Sequence, residues 1–347
     1  MIYIYILLAV LLFGALVAIH ELGHFITAKL SGVRVNEFAI GMGPAIFKKK
    51  FGETTYALRI LPFGGFCAME GEDSESEDPR AFGAQSVWSR MLIVLAGSFM
   101  NLLGGFVVLA LVFAPIKEWY TPTIESVGAD ISSEENVLRA GDTIKAIGDY
   151  NVYIYSDIMV GLTRGGDNGK YDVKVMRDGK IKMLTDVVLT SSEEEAEKAK
   201  GNNGEARTIT FRTETHSFAG KTKYVLQNGF NLVRLVKVGL VDLLSGSVSK
   251  DDISGPVGIG KMMADTAKTS MSSLWYLLAF ISINLGVMNL LPIPALDGGR
   301  FVFLLFEAIF RKPVPPKYEA YVHGVGIVIL LLLMLLVTFN DVVKLFR

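Results

Sequence analysis

The sequence predicts a polytopic α-helical membrane protein with a small membrane-associated β-hairpin and one inserted α+β domain. Three observations lead to this fold class. The mean hydropathy is +0.41 and 51% of the residues are hydrophobic, which is more apolar than an ordinary soluble enzyme. Charged residues still make up 20% of the chain, too many for a bare bundle of spanning helices. Long apolar runs also alternate with one long polar stretch, which places the charges in separate parts of the chain.

Four apolar runs are predicted to cross the bilayer as helices. A helix rises about 1.5 Å per residue, so about 20 apolar residues cover the hydrocarbon core. The first run has no charged side chain and lacks both the basic start and the cleavage site of a signal peptide, so we interpret it as a retained helix. The third run is shorter and ends in a proline-rich break. The four runs are Met1 to Ile19, Met91 to Pro115, Leu274 to Leu291 and Tyr321 to Phe339.

A further helical segment, Tyr224 to Leu244, is predicted not to span. It carries two cations near its middle, and each charged side chain costs about 2.5–3.5 kcal/mol at a bilayer centre. Its polar residues recur at every third position and form one stripe on an apolar helix. This pattern is typical of a helix that lies on a membrane or against a partner. The stripe consists of Asn228, Asn231, Arg234 and Lys237.

Between the first two spans, Val33 to Phe66 is predicted to form a small antiparallel sheet. Two stretches alternate partly between apolar and polar residues, and Gly41, Gly43 and Pro44 interrupt them. The one cysteine, Cys67, excludes an intramolecular disulfide, and its apolar surroundings favour packing over metal binding. The acidic stretch that follows is interpreted as a solvated loop.

Residues 121–212 are predicted to form the inserted soluble domain. They contain short β-rich pieces and no spanning run, and Asp178-Gly179 is predicted to be a hairpin turn. Ser191 to Glu205 is rich in Glu, Lys, Gly and Asn, which predicts a mobile insertion. The chain thus divides into a first membrane part, the inserted domain, a connector with the amphipathic helix, and a second membrane part. These are residues 1–120, 121–212, 213–273 and 274–347.

The first spanning segment leads into a zinc-binding pattern, His20-Glu21-Leu22-Gly23-His24. Residues four apart share one face of a helix, so both imidazoles can point at one metal ion. Glu21 is placed beside them to take a proton from an attacking water. Lys29 marks the membrane surface, which puts the pattern about 8–14 Å inside. Ionisable groups at that depth are costly and usually functional, although a polar contact between helices is the alternative.

A catalytic zinc takes three protein ligands and keeps one position open. Asp297 is the best candidate for the third ligand, because it is an acid beside an apolar span in a helix broken by prolines and glycines. A helix cap is its alternative role. Asn284 and Asn289 flank this site, and each either holds a substrate carbonyl or bonds a neighbouring helix. We interpret His216 and His323 as ordinary polar residues.

With these residues in view, the sequence resembles the site-2 protease family, most of all its bacterial branch that performs regulated intramembrane proteolysis. The first and last matching motifs are highly specific together, and the matches extend along nearly the whole chain. They are His20-Glu-Leu-Gly-His24, Gly41-Met-Gly43, Leu61-Pro-Phe-Gly-Gly-Phe66, Glu70-Gly-Glu-Asp73 with Asp78-Pro79, Gly97-Ser-Phe-Met-Asn101, Ser254-Gly-Pro-Val-Gly258 and Asn289-Leu-Leu-Pro-Ile-Pro-Ala-Leu-Asp-Gly298.

The resemblance implies roles for several of these residues. Asp297 corresponds to the family's third zinc ligand, in agreement with the argument above, and Asn289 corresponds to an asparagine implicated in substrate handling. Asn101 matches the asparagine of a G-P-x-x-N motif in which Ser98 replaces the proline. Asn101 and the Gly41-Met-Gly43 turn are therefore further candidates for substrate binding. The implied substrates are single-pass membrane proteins, such as anti-sigma factors or signal-peptide remnants.

The inserted domain resembles a PDZ domain. The segment Arg139 to Gly148 is similar to the pattern A-G-L-x-x-G-D-x-I-x-x-I-x-G, with the middle shortened. This resemblance implies peptide ligands for the domain, and the chain has room for one such domain. The other expected partners are the substrates and the lipid bilayer.

Basic residues crowd the two short loops, and such loops stay in the cytoplasm. The resemblance implies a bacterial cell membrane. We therefore expect both loops on the cytoplasmic side with the active site close by, and the termini and the PDZ-like domain outside. The basic residues are Arg34, Lys48, Lys49, Lys50 and Arg59 in the first loop, and Arg300, Arg311, Lys312 and Lys317 in the second.

These observations predict a zinc-dependent intramembrane endopeptidase with Zn²⁺ as its cofactor. Two other classes stay open. A transporter or channel also has broken helices and buried acids, but it would need repeated halves, and the sequence has no internal repeat. A non-catalytic membrane scaffold would not need the intact set His20, Glu21, His24 and Asp297. The net charge of −1 does not suggest a nucleic-acid partner.

Overall fold

The computed structural model describes residues 2–72, 76–127, 137–164, 169–189, 209–215, 217–246 and 253–345. The chain divides into two compact units, one formed by Met1–Val112 with Leu232–Arg347 and the other by Phe113–Asn231. Four helices in the described ranges are long and apolar enough to cross a membrane, as the sequence predicts. They are Leu7–Leu30, Val87–Phe113, Met271–Asn289 and Lys317–Lys344.

The α-helices of the described residues are numbered here in chain order. The helix that contains the first apolar run continues well beyond Ile19, so the zinc-binding pattern lies within the first span. The helices that begin at Pro256 and Asp297 were not predicted from the sequence. The helices are α1 Ile2–Leu30, α2 Val87–Phe113, α3 Ser156–Arg164, α4 Phe218–Ser245, α5 Pro256–Thr269, α6 Met271–Asn289, α7 Asp297–Phe310 and α8 Pro316–Leu345.

Small residues bring α2 and α6 into close contact. A Cβ added to Gly105 would stand 2.5 Å from Ile283 Cγ1, and one added to Gly286 would stand 2.9 Å from the Ser98 carbonyl oxygen. The Ser282 hydroxyl donates a hydrogen bond of 2.7 Å to the carbonyl oxygen of Asn101. Such close approach is the usual basis of helix association in a bilayer, where packing and interhelical hydrogen bonds replace the hydrophobic effect.

The last helix is fixed at its carboxyl end by a buried acid. Asp341 is 4% exposed, and its Oδ2 accepts the backbone N–H groups of Gly255 at 2.9 Å and Gly258 at 2.8 Å. The carboxylate therefore caps the amino end of α5, where unpaired N–H groups favour a negative charge. This contact explains two glycines of the Ser254–Gly258 motif, because a Cβ at either position would stand 3.0 Å from an Asp341 oxygen.

Two long antiparallel strands, β1 Val35–Phe51 and β2 Thr54–Met69, form the sheet that the sequence predicts after the first span. Residues 37–40 lie opposite residues 65–68 on one side and residues 55–58 on the other. The two long strands thus fold back on themselves, and their sheet contains more strand segments side by side than the two of a simple hairpin. Gly41, Gly43 and Gly64 have φ values of 87°, 83° and 78°, which glycine adopts without strain, and they lie where the register shifts.

The second unit contains a six-stranded antiparallel sheet and the helix α3. The strand order is β7-β6-β4-β3-β8, with β5 paired to β4, over an apolar core that includes Ile124, Ile144 and Val173. The strands are β3 Glu118–Val127, β4 Thr143–Ile147, β5 Tyr150–Asn151, β6 Lys170–Arg177, β7 Lys180–Val188 and β8 Ile209–Thr215. The predicted insertion Ser191 to Glu205 lies outside the described residues.

The hairpin turn predicted at Asp178-Gly179 is confirmed. It joins β6 to β7, and both residues have positive φ, 50° and 74°, as a two-residue hairpin turn of the favoured hand requires. The first and last strands of the sheet in chain order, β3 and β8, pair with each other, beginning with Glu118 opposite Thr215. The sheet therefore begins three residues before and ends three residues after the predicted domain, residues 121–212.

The predicted amphipathic segment lies within α4, which is not among the candidate spans. Its stripe is only partly solvated, because Asn228 and Asn231 are 3% and 6% exposed, whereas Phe230 between them is 65% exposed. The Asn228 amide donates to the Tyr224 carbonyl oxygen at 2.9 Å. Lys237 at the end of the stripe is exposed, so only the first part of the stripe turns inward. The exposed apolar surface at Phe230 favours contact with lipid or a partner.

Candidate metal centre

One span and the start of a second helix bring three predicted ligands together. His20 and His24 lie one turn apart on α1, and Asp297 is the first residue of α7. His20 Nε2 lies 3.2 Å from His24 Nε2 and 3.2 Å from Asp297 Oδ2, and His24 Nε2 lies 3.5 Å from the same oxygen. The three atoms form a nearly equilateral triangle.

This triangle has the size that zinc requires. Zinc binds imidazole nitrogen and carboxylate oxygen at about 2.0–2.2 Å in a tetrahedral site, so its ligand atoms lie about 3.3–3.6 Å apart. The observed separations are 3.2, 3.2 and 3.5 Å. Two imidazoles with one carboxylate are also a ligand set of catalytic zinc sites, in which the fourth position is left for water or substrate. The residues present therefore fit zinc in both spacing and chemistry.

The far sides of both imidazoles are held by α2. His24 Nδ1 donates to the carbonyl oxygen of Ile93 at 2.8 Å, which leaves Nε2 with its lone pair toward the site. His20 Nδ1 lies 3.3 Å from the side-chain nitrogen of Asn101, a residue that is 1% exposed. Asn101 Oδ1 is buried without a hydrogen-bond partner among the described residues. Exchanging the two ends of this amide lets Oδ1 accept the His20 Nδ1–H, so that His20 Nε2 also faces the site.

A glycine of α2 makes room for the two rings. A Cβ at Gly97 would stand 2.3 Å from His24 Nε2 and 2.8 Å from His20 Cε1. Both distances are far inside van der Waals contact, so the imidazoles can occupy these positions only because residue 97 has no side chain. Gly97 thus shapes the site without touching a metal.

The glycine-rich end of β2 lies beside Glu21. A Cβ at Gly65 would stand 3.2 Å from Glu21 Cγ and 2.9 Å from the Ala39 carbonyl oxygen. The segment 65–68 pairs with β1 along one edge, and within the described residues no further strand pairs with its other edge. A free strand edge therefore passes next to the acid that follows His20.

Charged contacts and close packing fix α7, which begins with Asp297. Arg300, one turn after Asp297, forms an ion pair with Glu72 in the loop after β2. Near the other end of α7, Glu307 accepts two hydrogen bonds from Arg90 of α2, at 2.5 and 3.1 Å. A Cβ at Gly298 would stand 2.1 Å from the Leu291 carbonyl oxygen, so the chain doubles back tightly before α7.

Cys67 belongs to the packed core rather than to the ligand set, as the sequence predicts. It is 7% exposed and lies in an apolar cluster with Ala28, Val33 and Ile93. Burial raises the pKa of its thiol, and the described group of metal-ligating residues contains His20, His24 and Asp297 without Cys67.

The structure gathers most of the predicted site residues and separates others. The Asn289 amide nitrogen lies 3.5 Å from both ring nitrogens of His20. Gly41 and Gly43 lie within the β-sheet, where they bend β1. His216 lies outside the described residues. Ile93 had no signal in the sequence, and the motifs that contain Gly65, Gly97 and Glu72 did not show what these residues contact. Each acts through a contact that only the folded chain creates.

Two histidines and an acid around one point, with a glutamate beside them, define a metal-dependent hydrolase, and the surrounding apolar helices define one that works at membrane depth. The chain matches peptidase family M50 over residues 8–333. It therefore belongs to family M50, the site-2 proteases, and is a zinc metalloendopeptidase of regulated intramembrane proteolysis.

The relatives agree with this assignment. The chain is 39% identical over 339 residues to a protein of Clostridium acetobutylicum that is named as a zinc metalloprotease, with 97% of each chain covered. It is 37% identical over 346 residues to a Fusobacterium nucleatum protein with the same description, covering 98% of this chain and 99% of the relative. It is 31% identical over 422 aligned positions to the regulator of sigma-W protease RasP of Bacillus subtilis, covering 97% and 98%.

Proposed function

We propose that His20, His24 and Asp297 hold the catalytic zinc and that Glu21 is the general base of peptide hydrolysis. The observation that carries this proposal is the triangle of three ligand atoms, with sides of 3.2, 3.2 and 3.5 Å. A tetrahedral zinc site needs this spacing, and it leaves the fourth position open.

Each residue of the site has a separate task. Zinc, when bound, polarises the scissile carbonyl and makes water nucleophilic at neutral pH. Glu21 takes the proton of the attacking water and delivers it to the departing amine nitrogen. Ile93 and Asn101 hold the two imidazoles in the tautomer and orientation that present Nε2. Asn289 donates its amide N–H to the substrate carbonyl oxygen, next to His20.

The substrate approaches along α1 and the β-sheet. An apolar groove of about 570 Å³ lies there, between one face of α1 and the strands β1 and β2, and it reaches Ile19, directly before the catalytic pattern, and Leu22 within it. A helical substrate hides its carbonyl groups, so the segment must unwind before cleavage. The free edge of residues 65–68 can pair with the extended chain by strand addition. The groove is lined by Leu11, Gly14, Ala15, Ala18, Ile19, Leu22, Phe38, Ile40 and Leu58.

We propose that the substrates are transmembrane segments of single-pass proteins, such as anti-sigma factors or signal-peptide remnants. The Bacillus subtilis relative bears the name regulator of sigma-W protease, which supports the first class. The groove and the depth of the site fit an apolar segment of either class. Comparing the membrane proteome of cells with the active chain and with the Glu21→Gln chain would identify the fragments that accumulate.

The chemical proposal is tested by two substitutions with different expected results. Glu21→Gln removes the base but no ligand, so zinc should stay bound while cleavage of a transmembrane substrate falls by about 100-fold or more. Asp297→Ala removes a ligand, so both zinc and cleavage should be lost. Glu125→Gln, at an exposed acid of the second unit, is the matched control and should behave as the wild type. Full activity of Glu21→Gln would refute the mechanism.

We further propose that the two basic loops face the cytoplasm, and that the sheet of the second unit is an extracytoplasmic PDZ-like domain. The excess of Lys and Arg in short loops supports this orientation. Labelling of a cysteine placed at residue 49, in a variant without Cys67, should require a reagent that crosses the membrane. Labelling of intact cells by an impermeant reagent would reverse the orientation.

For the PDZ-like domain we propose a role as a size filter or peptide sensor for substrates. The described part of the domain carries neither a group of metal-ligating residues nor a part of the catalytic cluster. Because β3 begins at Glu118 and β8 ends at Thr215, the deletion that removes the whole sheet is residues 118–215. The shortened enzyme should cleave untrimmed substrates that the full chain rejects. Loss of cleavage of both trimmed and untrimmed substrates, with zinc retained, would refute the filter.

A further inference from the structure

The turn that leads into Asp297 contains a backbone conformation that needs support. Ala295, two residues before Asp297, has a φ of 76°, in the left-handed region that non-glycine residues rarely adopt. A residue in this conformation is strained, and the conformation persists only where its surroundings hold it. The carboxylate of Asp297 can keep its position only if this turn keeps its shape.

The last spanning helix, α8, provides that support from outside the catalytic cluster. His323 Nδ1 accepts the backbone N–H of Ala295 at 2.9 Å. One turn further, α8 lies directly on Pro294, because a Cβ at Gly326 would stand 2.5 Å from Pro294 Cβ and 2.8 Å from its carbonyl oxygen. The ring of His323 also meets Phe303 of α7, with centroids 5.7 Å apart. One imidazole therefore touches both the turn and the helix that present Asp297.

These contacts stand out on a helix that packs little elsewhere. Little of the apolar stretch of α8 is buried, and the residues from Leu331 to Leu336 are all about half exposed or more. The buried contacts of α8 gather at its two ends, at His323 and Gly326 on one side and at Asp341 on the other. The contacts near the amino end of α8 are with the turn that leads into Asp297, whereas Asp341 near the carboxyl end contacts the start of α5.

We propose that His323 is a positioning residue of the zinc site, which holds the Pro294–Ala295 turn in the shape that directs Asp297 toward His20 and His24. The inference rests on the proposed role of Asp297 as a ligand. The backbone N–H of Ala295 is always a donor, so Nδ1 is the acceptor and the ring proton is on Nε2. His323 thus acts on the metal through the backbone of its ligand and does not bind the metal itself.

Three variants test this role through the rate at which the purified, zinc-loaded protein releases zinc to a chelator. His323→Leu keeps an apolar side chain but removes the acceptor, and release should accelerate about 10–100-fold, as for other partners of metal ligands. His323→Asn places Oδ1 the same number of bonds from Cβ as Nδ1, so it should restore slow release. Gly326→Ala should accelerate release independently, because its methyl group pushes the turn away from α8.

Asp341→Asn is the control at the other end of the same helix. It weakens the cap of α5 and should leave zinc release unchanged, even if the thermal unfolding temperature falls. Equal acceleration by Asp341→Asn and His323→Leu would show general loosening of α8 and would overturn the proposal. So would slow release by His323→Leu, or rapid release by His323→Asn.

A reference variant separates this inference from the function on which it rests. Asp297→Ala should contain no zinc at all. If that variant retains zinc, the proposed ligand set is wrong. If Asp297→Ala loses zinc and His323→Leu releases it at the wild-type rate, the ligand set stands and the positioning role of His323 alone is refuted.

Discussion

The absence of a side chain at Gly97 is the most sharply testable feature of the metal centre. In Gly97→Ala the new Cβ would stand 2.3 Å from His24 Nε2 and 2.7 Å from Cε1 of the same ring, with His20 Cε1 at 2.8 Å. Ordinary carbon contacts begin at about 3.5 Å, so the two imidazole rings must move by roughly 1 Å. A displacement of this size at a reacting centre costs on the order of 100-fold in rate. We expect Gly97→Ala to lose at least that much activity and most of its zinc.

The assay measures zinc per chain and the cleavage rate of a transmembrane substrate in detergent. Gly104→Ala is the matched control, since it adds the same methyl group to α2 two turns further on. Its nearest neighbours would be Ile19 Cγ2 at 3.6 Å and Ser282 Oγ at 3.7 Å, which is ordinary contact. Wild-type zinc content and activity in Gly97→Ala would refute the packing of the imidazoles against α2.

Two further predictions concern other parts of the chain. In the second unit, Asp142 is fully buried and receives two hydrogen bonds of 2.7 Å from Arg177. Asp142→Ala should therefore destabilise the sheet by about 3–5 kcal/mol, which limited proteolysis would detect as faster cleavage of this unit. Unchanged resistance to proteolysis would contradict the burial of the pair. At the tip of the β1–β2 hairpin, hydrogen bonds from Lys29 and Arg80 lower the pKa of Glu53. This contact therefore stabilises the hairpin fully above the ordinary carboxyl pKa of about 4.3 and is lost as the pH falls through the lower pKa of the folded protein. A spin label at residue 52 should become mobile in that acid range in the wild type and be mobile at neutral pH in Glu53→Gln; a label whose mobility does not change with pH would contradict the contact.

Local patterns predicted the parts of the fold that depend on local rules. Spacing of four on a helix placed His20 and His24 on one face, and the Asp178-Gly179 pair marked a hairpin turn that the structure confirms. Apolar run length found the four spans. Each of these features follows from helix rise, side-chain direction or turn geometry, and none depends on which distant residues the segment contacts.

The rest of the site depends on contacts between distant residues. His24 and Ile93 are 69 positions apart, and His323 and Ala295 are 28 apart, so no window of the sequence contains either pair. Gly97 was visible within a matching motif, but the two imidazoles that it accommodates were not. The helix α7 was hidden because the prolines before Asp297 and the two glycines directly after it are typical of the end of a helix, whereas here they surround the start of one.

The partly buried polar stripe of α4 also depends on contacts that the sequence does not show. Spacing found the stripe, but the burial of Asn228 and Asn231 and the exposure of Phe230 depend on what surrounds the helix. A helix with this polarity favours an apolar environment for its outer face.

In the proposed site two imidazoles and one carboxylate hold one zinc ion. Zinc X-ray absorption on the purified protein measures this ligand set itself, because bond lengths distinguish nitrogen and oxygen from sulfur. We predict one zinc per chain, with only nitrogen and oxygen ligands at about 2.0–2.2 Å and the scattering of two imidazoles. A sulfur ligand at about 2.3 Å would contradict the account, since Cys67 is the one sulfur that could provide a thiolate.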